Sequence, residues 1–166
     1  MRILIVILLL STFRIKAETA SIVEIRSLYY SSAKASKAAN QFLELMKYLD
    51  VSKDKVYQGY RGMAYILQAK YTWNPYSKLS SFDKGKEDLE QSIQADKQNI
   101  ELRFLRFCIQ TNVPSILNYQ DNIEEDKTVI LKAWDEINDK DLKARIKAYL
   151  LESEKLNEQE ILLIKG

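Results

Sequence analysis

Ile100-Glu101-Leu102-Arg103-Phe104-Leu105-Arg106-Phe107-Cys108-Ile109 decides how this chain reads. The segment is apolar almost all round, and only Arg103 and Arg106 mark a polar side. A helix of that kind sits centrally and is covered by neighbours on several sides. It is the expected hub of an all-α domain.

The flanking sequence repeats helical spacing. Ala38, Phe42, Leu45, Met46 and Leu49 step by three and four, and so do Val56, Tyr60, Met63 and Leu67. Phe82, Gly85, Leu89, Ser92, Ile93 and Asp96 mark the next segment, with Gly85 and Ser92 as small inner positions. Ile123, Ile130, Leu131, Trp134 and Ile137 give another, and Leu142, Ile146, Tyr149 and Leu150 a further one. No stretch alternates apolar and polar long enough for a convincing strand.

Helix boundaries follow from capping chemistry. Ser52 is suited to accept from the first amides of a helix. Ser80 with Asp83, Asp121 with Glu124, and Asn157 with Glu160 have capping-box-like spacing. Asn74-Pro75 and Val113-Pro114 are breaks, because proline disfavours helical geometry in the residue before it. Eight helices are expected, over 20–34, 36–50, 52–72, 80–96, 99–111, 121–138, 140–154 and 157–165. The first two are also compatible with one kinked helix. The short links imply antiparallel neighbours.

Composition narrows the chemistry. The 166 residues carry 46% hydrophobic and 29% charged side chains, a globular mix, with only 4 Gly and 2 Pro. With no histidine, a Ser-His-Asp or Cys-His arrangement and any His-containing zinc site are excluded. One cysteine makes neither an intramolecular disulfide nor a thiolate cage, and Cys108 reads as a buried inert thiol. The glycines fit no P-loop or dinucleotide fingerprint, so no cofactor and no metal are expected. Carboxylate or lysine chemistry, or none, remains.

Residues 1–17 read as a signal peptide. Met1-Arg2 precedes an apolar run from Ile3 to Phe13, with Ala17 as the preferred cleavage point before Glu18 and Ala20 as the alternative. At helical rise the run spans roughly 16 Å, against about 30 Å of bilayer core, so a stable span is not expected. A buried N-terminal helix is the other reading. Without Arg2, Arg14 and Lys16 the 25 basic residues become 22, against 23 acidic ones, and the net charge moves from +2 to −1. A near-neutral chain with interspersed signs is a poor partner for nucleic acid. The expected organisation is therefore a leader over 1–17 and one helical domain over 18–166, in the periplasm or outside the cell.

Residues 82–109 resemble the second helix of one tetratricopeptide repeat running into the first helix of the next. Gly85, Leu89, Ser92 and Ile93 fall where that family places small, large, small and aliphatic residues, and Asp96-Lys97-Gln98-Asn99 resembles its inter-repeat turn without the usual proline. The preceding helix carries Tyr57, Gly62 and Tyr65, but residues 73–80 read as a longer loop than the motif allows. The segment from Lys70-Tyr71-Thr72-Trp73-Asn74-Pro75-Tyr76 through Asn122-Ile123-Glu124-Glu125-Asp126 is also similar to uncharacterised exported proteins of Bacteroidota-type bacteria. These resemblances imply a compact array of helix pairs in a Gram-negative envelope, and a protein or peptide partner bound on a helical surface.

Two groups are candidate binding residues. Tyr71, Trp73 and Tyr76 fall in the expected loop after the third helix, where aromatic rings either stack on sugars or partner side chains or plug the end of the array. Arg103 and Arg106 share a helix face and either clamp an anion or satisfy Glu124, Glu125 and Asp126 internally. Those three acids open a helix and are best explained by capping, because adjacent helical positions do not make a facing acid–base pair. The expected function is non-enzymatic recognition of a protein or peptide. Glycan binding through the Trp73 loop is the second reading, and a carboxylate-dependent wall hydrolase the third. The final helix, with Ile161-Leu162-Leu163-Ile164, either docks on the seventh or leaves a self-association patch.

Overall fold

The structure is a computed structural model that describes residues 20–166, so the expected leader lies outside the described residues. All regular structure among the described residues is helical. Eight α-helices follow one another: α1 (Ile22–Ser32), α2 (Ser36–Tyr48), α3 (Lys55–Tyr71), α4 (Pro75–Ala95), α5 (Ile100–Gln110), α6 (Ile123–Lys132), α7 (Lys140–Glu152) and α8 (Glu158–Lys165). Short 3-10 turns occupy Ser115–Leu117 and Trp134–Glu136. The chain divides into two compact units, one ending at Ala95 and one spanning Asp96–Gly166.

The first unit packs α1 to α4. Ser21 and Glu24 form a capping box that starts α1. The turn at 33–35 separates α1 from α2, so the two are distinct helices. Asp54, rather than Ser52, caps α3 by accepting from the Val56 amide; the Ser52 hydroxyl donates to Asp50 instead. Tyr29, Phe42 and Tyr60 bring three rings together at centroid separations of 5.8 to 6.4 Å, mostly edge to face. Around them Ile25, Met46 and Met63 are fully buried.

α3 and α4 cross at Gly62 and Gly85. A Cβ on Gly62 would lie 2.5 Å from the Gly85 carbonyl oxygen and 3.0 Å from the Leu89 nitrogen. A Cβ on Gly85 would collide with the Gly62 carbonyl oxygen in turn. Both glycines are needed for this close approach, which draws Phe82, Leu89 and Ile93 into the core. Beside the crossing Arg61 grips Asp88 with two bonds, Nε to Oδ2 at 2.8 Å and Nη2 to Oδ1 at 2.7 Å.

The second unit is built on α5, where residues 101–110 are all buried. Asn99 caps it by accepting from the Leu102 amide. Phe104, Phe107 and Cys108 share one core with Ile130, Trp134, Ile137, Leu142, Ile146, Leu150 and Ile164. The helix expected over 121–138 ends at Lys132. It tightens there to a 3-10 turn, whose three-residue period aligns Trp134 with Ile137, and both are buried. Asn157 and Glu160 form the expected capping box on α8. Ile164 docks in the core, while Leu162 and Leu163 remain exposed.

Candidate functional site

The stretch expected as a loop over 73–80 is mostly helix. Asn74 and Pro75 begin α4 rather than break the chain: the Asn74 side-chain oxygen accepts from the Ser77 amide at 3.1 Å and its carbonyl from Lys78 at 2.9 Å. Pro75 takes the first helical position, where no amide is needed and its fixed φ suits a helix. The Ser80–Asp83 pair therefore lies inside the helix. The link between α3 and α4 shrinks to residues 72–74.

This early start leaves the end of α4 bare. Residues 73–80 are all exposed, and burial begins at Phe82. Trp73 is 97% exposed, Tyr76 87% and Leu79 50%. Positions three apart on a helix lie on one side, so Tyr76 and Leu79 form a short apolar stripe that Trp73 precedes. Lys70 and Lys78 are the charged residues between positions 70 and 82, which include no acid.

Tyr71 parts from the other two aromatic residues. Its hydroxyl donates to the Ser32 carbonyl at 3.1 Å, tying the end of α3 to the end of α1. Lys70 donates to the neighbouring Ala33 carbonyl at 2.8 Å and lies 5.5 Å from the Tyr71 ring centre.

Arg103 and Arg106 sit in the second unit and are 5% exposed each. Arg103 Nη1 donates to Glu125 Oε1 at 2.8 Å and to Asp126 Oδ1 at 3.0 Å, and its Nε to the Lys97 carbonyl at 2.7 Å. Arg106 holds both Asp126 oxygens at 2.8 Å. Asp126 has no exposed surface. Hydrogen bonds from Asn122 and then Arg103 hold the Glu125 carboxyl below its ordinary range. Glu124, Glu125 and Asp126 stand in the first turn of α6, as expected, although no side chain makes a cap hydrogen bond to that helix. Glu125 and Asp126 receive the α5 arginines, and Glu124 pairs with Lys127 at 2.9 Å.

Among the described residues no group of three or more His, Cys, Asp or Glu side chains is placed to hold a metal ion. No helix among them is long and apolar enough to cross a membrane. The fold and the bare helix end define an all-helical protein with a protruding aromatic tip. No family model, curated protein or solved structure matches the chain.

Proposed function

We propose that this chain is a non-enzymatic binding protein exported to the bacterial envelope, and that the free end of α4 is its contact surface for a protein or peptide. The carrying observation is the near-complete exposure of Trp73 and Tyr76 on a capped helix end. Tryptophan and tyrosine bury large apolar area at little conformational cost and dominate protein interfaces. Leu79 extends the stripe along the helix, which suits a groove on the partner. Arg103 and Arg106 have their donors committed to Asp126, Glu125 and Lys97, so the anchors of this surface are the aromatic rings. Two buried carboxylates, Asp88 and Asp126, are gripped by arginines, which favours recognition over acid–base chemistry.

A glycan ligand is the second reading, favoured by an open Trp73 ring with the polar Asn74 and Ser77 beside it. One experiment separates the two. The native chain and a Trp73→Ala/Tyr76→Ala variant are immobilised and exposed to an envelope protein fraction and, separately, to wall glycan. Retention of a protein by the native chain alone supports the first reading. Retention of glycan by the native chain alone replaces it with the second, and equal retention by both chains removes this surface from either. Export itself is tested by N-terminal sequencing of the cellular protein, which is expected to begin at Glu18.

A further inference from the structure

The second unit contains a cleft of about 380 Å³ between α7, α8 and the Trp134 turn. Four lysines line it. Lys140, Lys143 and Lys147 recur at three and four residues and so share one side of α7, and Lys165 comes from the end of α8. We propose that this cleft binds a phosphate-bearing ligand. The inference does not depend on the α4 tip.

The first ground is charge left unbalanced. Lys47 pairs with Glu44, Lys53 with Asp50, and Lys127 with both Glu124 and Glu160, whereas the cleft gathers four lysines beside a single acidic side chain. Among the described residues, none of the four cleft lysines makes an ion pair with an acidic side chain. Lys147 donates to the Lys165 carbonyl at 3.2 Å, and Lys143 lies 4.9 Å from the Trp134 ring centre. Both contacts hold an ammonium in place without neutralising it. Asp135 is the one acidic side chain on the rim, and the nearby Asp141 is taken by Arg145 at 2.9 Å. Four like charges drawn to one cleft repel one another, and an anion relieves that repulsion.

The second ground is shape. Trp134, Ala144 and Leu163 give the cleft an apolar wall, with Leu163 44% exposed in it. A phosphate group offers several strong acceptors to the ammonium groups, and an apolar body attached to it would lie against Leu163. A soluble phosphoester and the headgroup of an anionic lipid both present this chemistry.

Calorimetry on the full chain uses inorganic pyrophosphate in one arm and phosphatidylglycerol–phosphatidylcholine vesicles in the other, with pure phosphatidylcholine vesicles as control. Saturable binding is expected in at least one anionic arm, and which arm responds identifies the source. A Lys143→Ala/Lys147→Ala variant is expected to bind about tenfold more weakly or worse. Asp135→Asn is expected to bind more tightly, an effect that misfolding would not produce. Trp73→Ala/Tyr76→Ala is expected to bind as the native chain does. Saturable binding in neither arm, or binding that neither the lysine pair nor Asp135 affects, overturns the proposal.

Discussion

Gly62 and Gly85 face each other where α3 crosses α4, each occupying the space in which the other's Cβ would need to lie. The two helices are thereby held at backbone contact, and this sets where α4 enters the core and how much of it stays free.

Alanine is the better helix former by about 1 kcal/mol, so on propensity alone Gly85→Ala would stabilise α4. The close neighbours of its new Cβ include the Gly62 carbonyl and the Ile66 nitrogen, which are backbone and cannot swing aside. Overpacking of this kind costs about 1–3 kcal/mol. A net loss of stability is expected in urea titration, with Gly62→Ala behaving likewise. A gain in either variant would mean that the helices cross less closely.

Asp126 is the shared acceptor of two buried guanidinium groups. Removing it leaves Arg103 and Arg106 facing each other with Glu125, which is half exposed, as the remaining acid. Asp126→Ala is expected to cost about 3–5 kcal/mol, the range for breaking a buried pair. Glu125→Ala is expected to cost far less, because its charge is screened by solvent. Equal effects in chemical denaturation would contradict this division.

Tyr149 of α7 binds the end of α5. Its hydroxyl donates to the Cys108 carbonyl at 3.2 Å, accepts from Asn112 and lies 2.7 Å from the Thr111 hydroxyl, while its ring stands edge-on to Phe104 and Phe107. Burial, with Cys108 adding to it, pushes the phenol up to about 12. The neutral form is the one the fold favours, so the stability it contributes is complete below the ordinary tyrosine pKa of about 10 and is lost as pH rises from there through about 12. Stability in Tyr149→Phe should therefore fall less steeply across that window. Identical alkaline profiles would show that Tyr149 ionises as an ordinary phenol.

Trp73 and Tyr76 support nothing in the fold that their exposure would reveal. Alanine at both positions is expected to change stability by no more than about 0.5 kcal/mol. In a Trp134→Phe background the remaining fluorescence should be fully open to a soluble quencher, whereas Trp134 in a Trp73→Phe background should be shielded. Shielding of Trp73 in the isolated chain would place it inside the fold and remove the surface.

Periodicity was enough to read the helices, because each buries one stripe whose spacing is written locally. What it missed depends on partners distant in sequence. Asn74-Pro75 resembles a break and a helix start equally until the Ser77 amide is seen to bond to Asn74, and this choice decides whether Trp73 and Tyr76 sit on a loop or a helix. Arg103 and Arg106 were legible as a pair with Glu125 and Asp126 among their possible partners, but only the arrival of Asp126 from α6 decides between an internal pair and an anion clamp. The sequence reading did not single out the lysines of α7, because only the arrival of Lys165 and the Trp134 turn makes a cleft of them. Asp54 took the cap expected of Ser52 because it stands next to the helix, and Ser52 had Asp50 within reach.

The proposed contact surface is tested most directly by placing a photoreactive side chain at position 76 and, in a separate chain, at the exposed position 154 on the far side of the sequence. Illumination in an envelope protein fraction is expected to give a discrete protein adduct from position 76 that free native chain competes away, and none from position 154. Adducts of equal yield at both positions, or an adduct at 76 that native chain fails to compete, would contradict recognition by the end of α4.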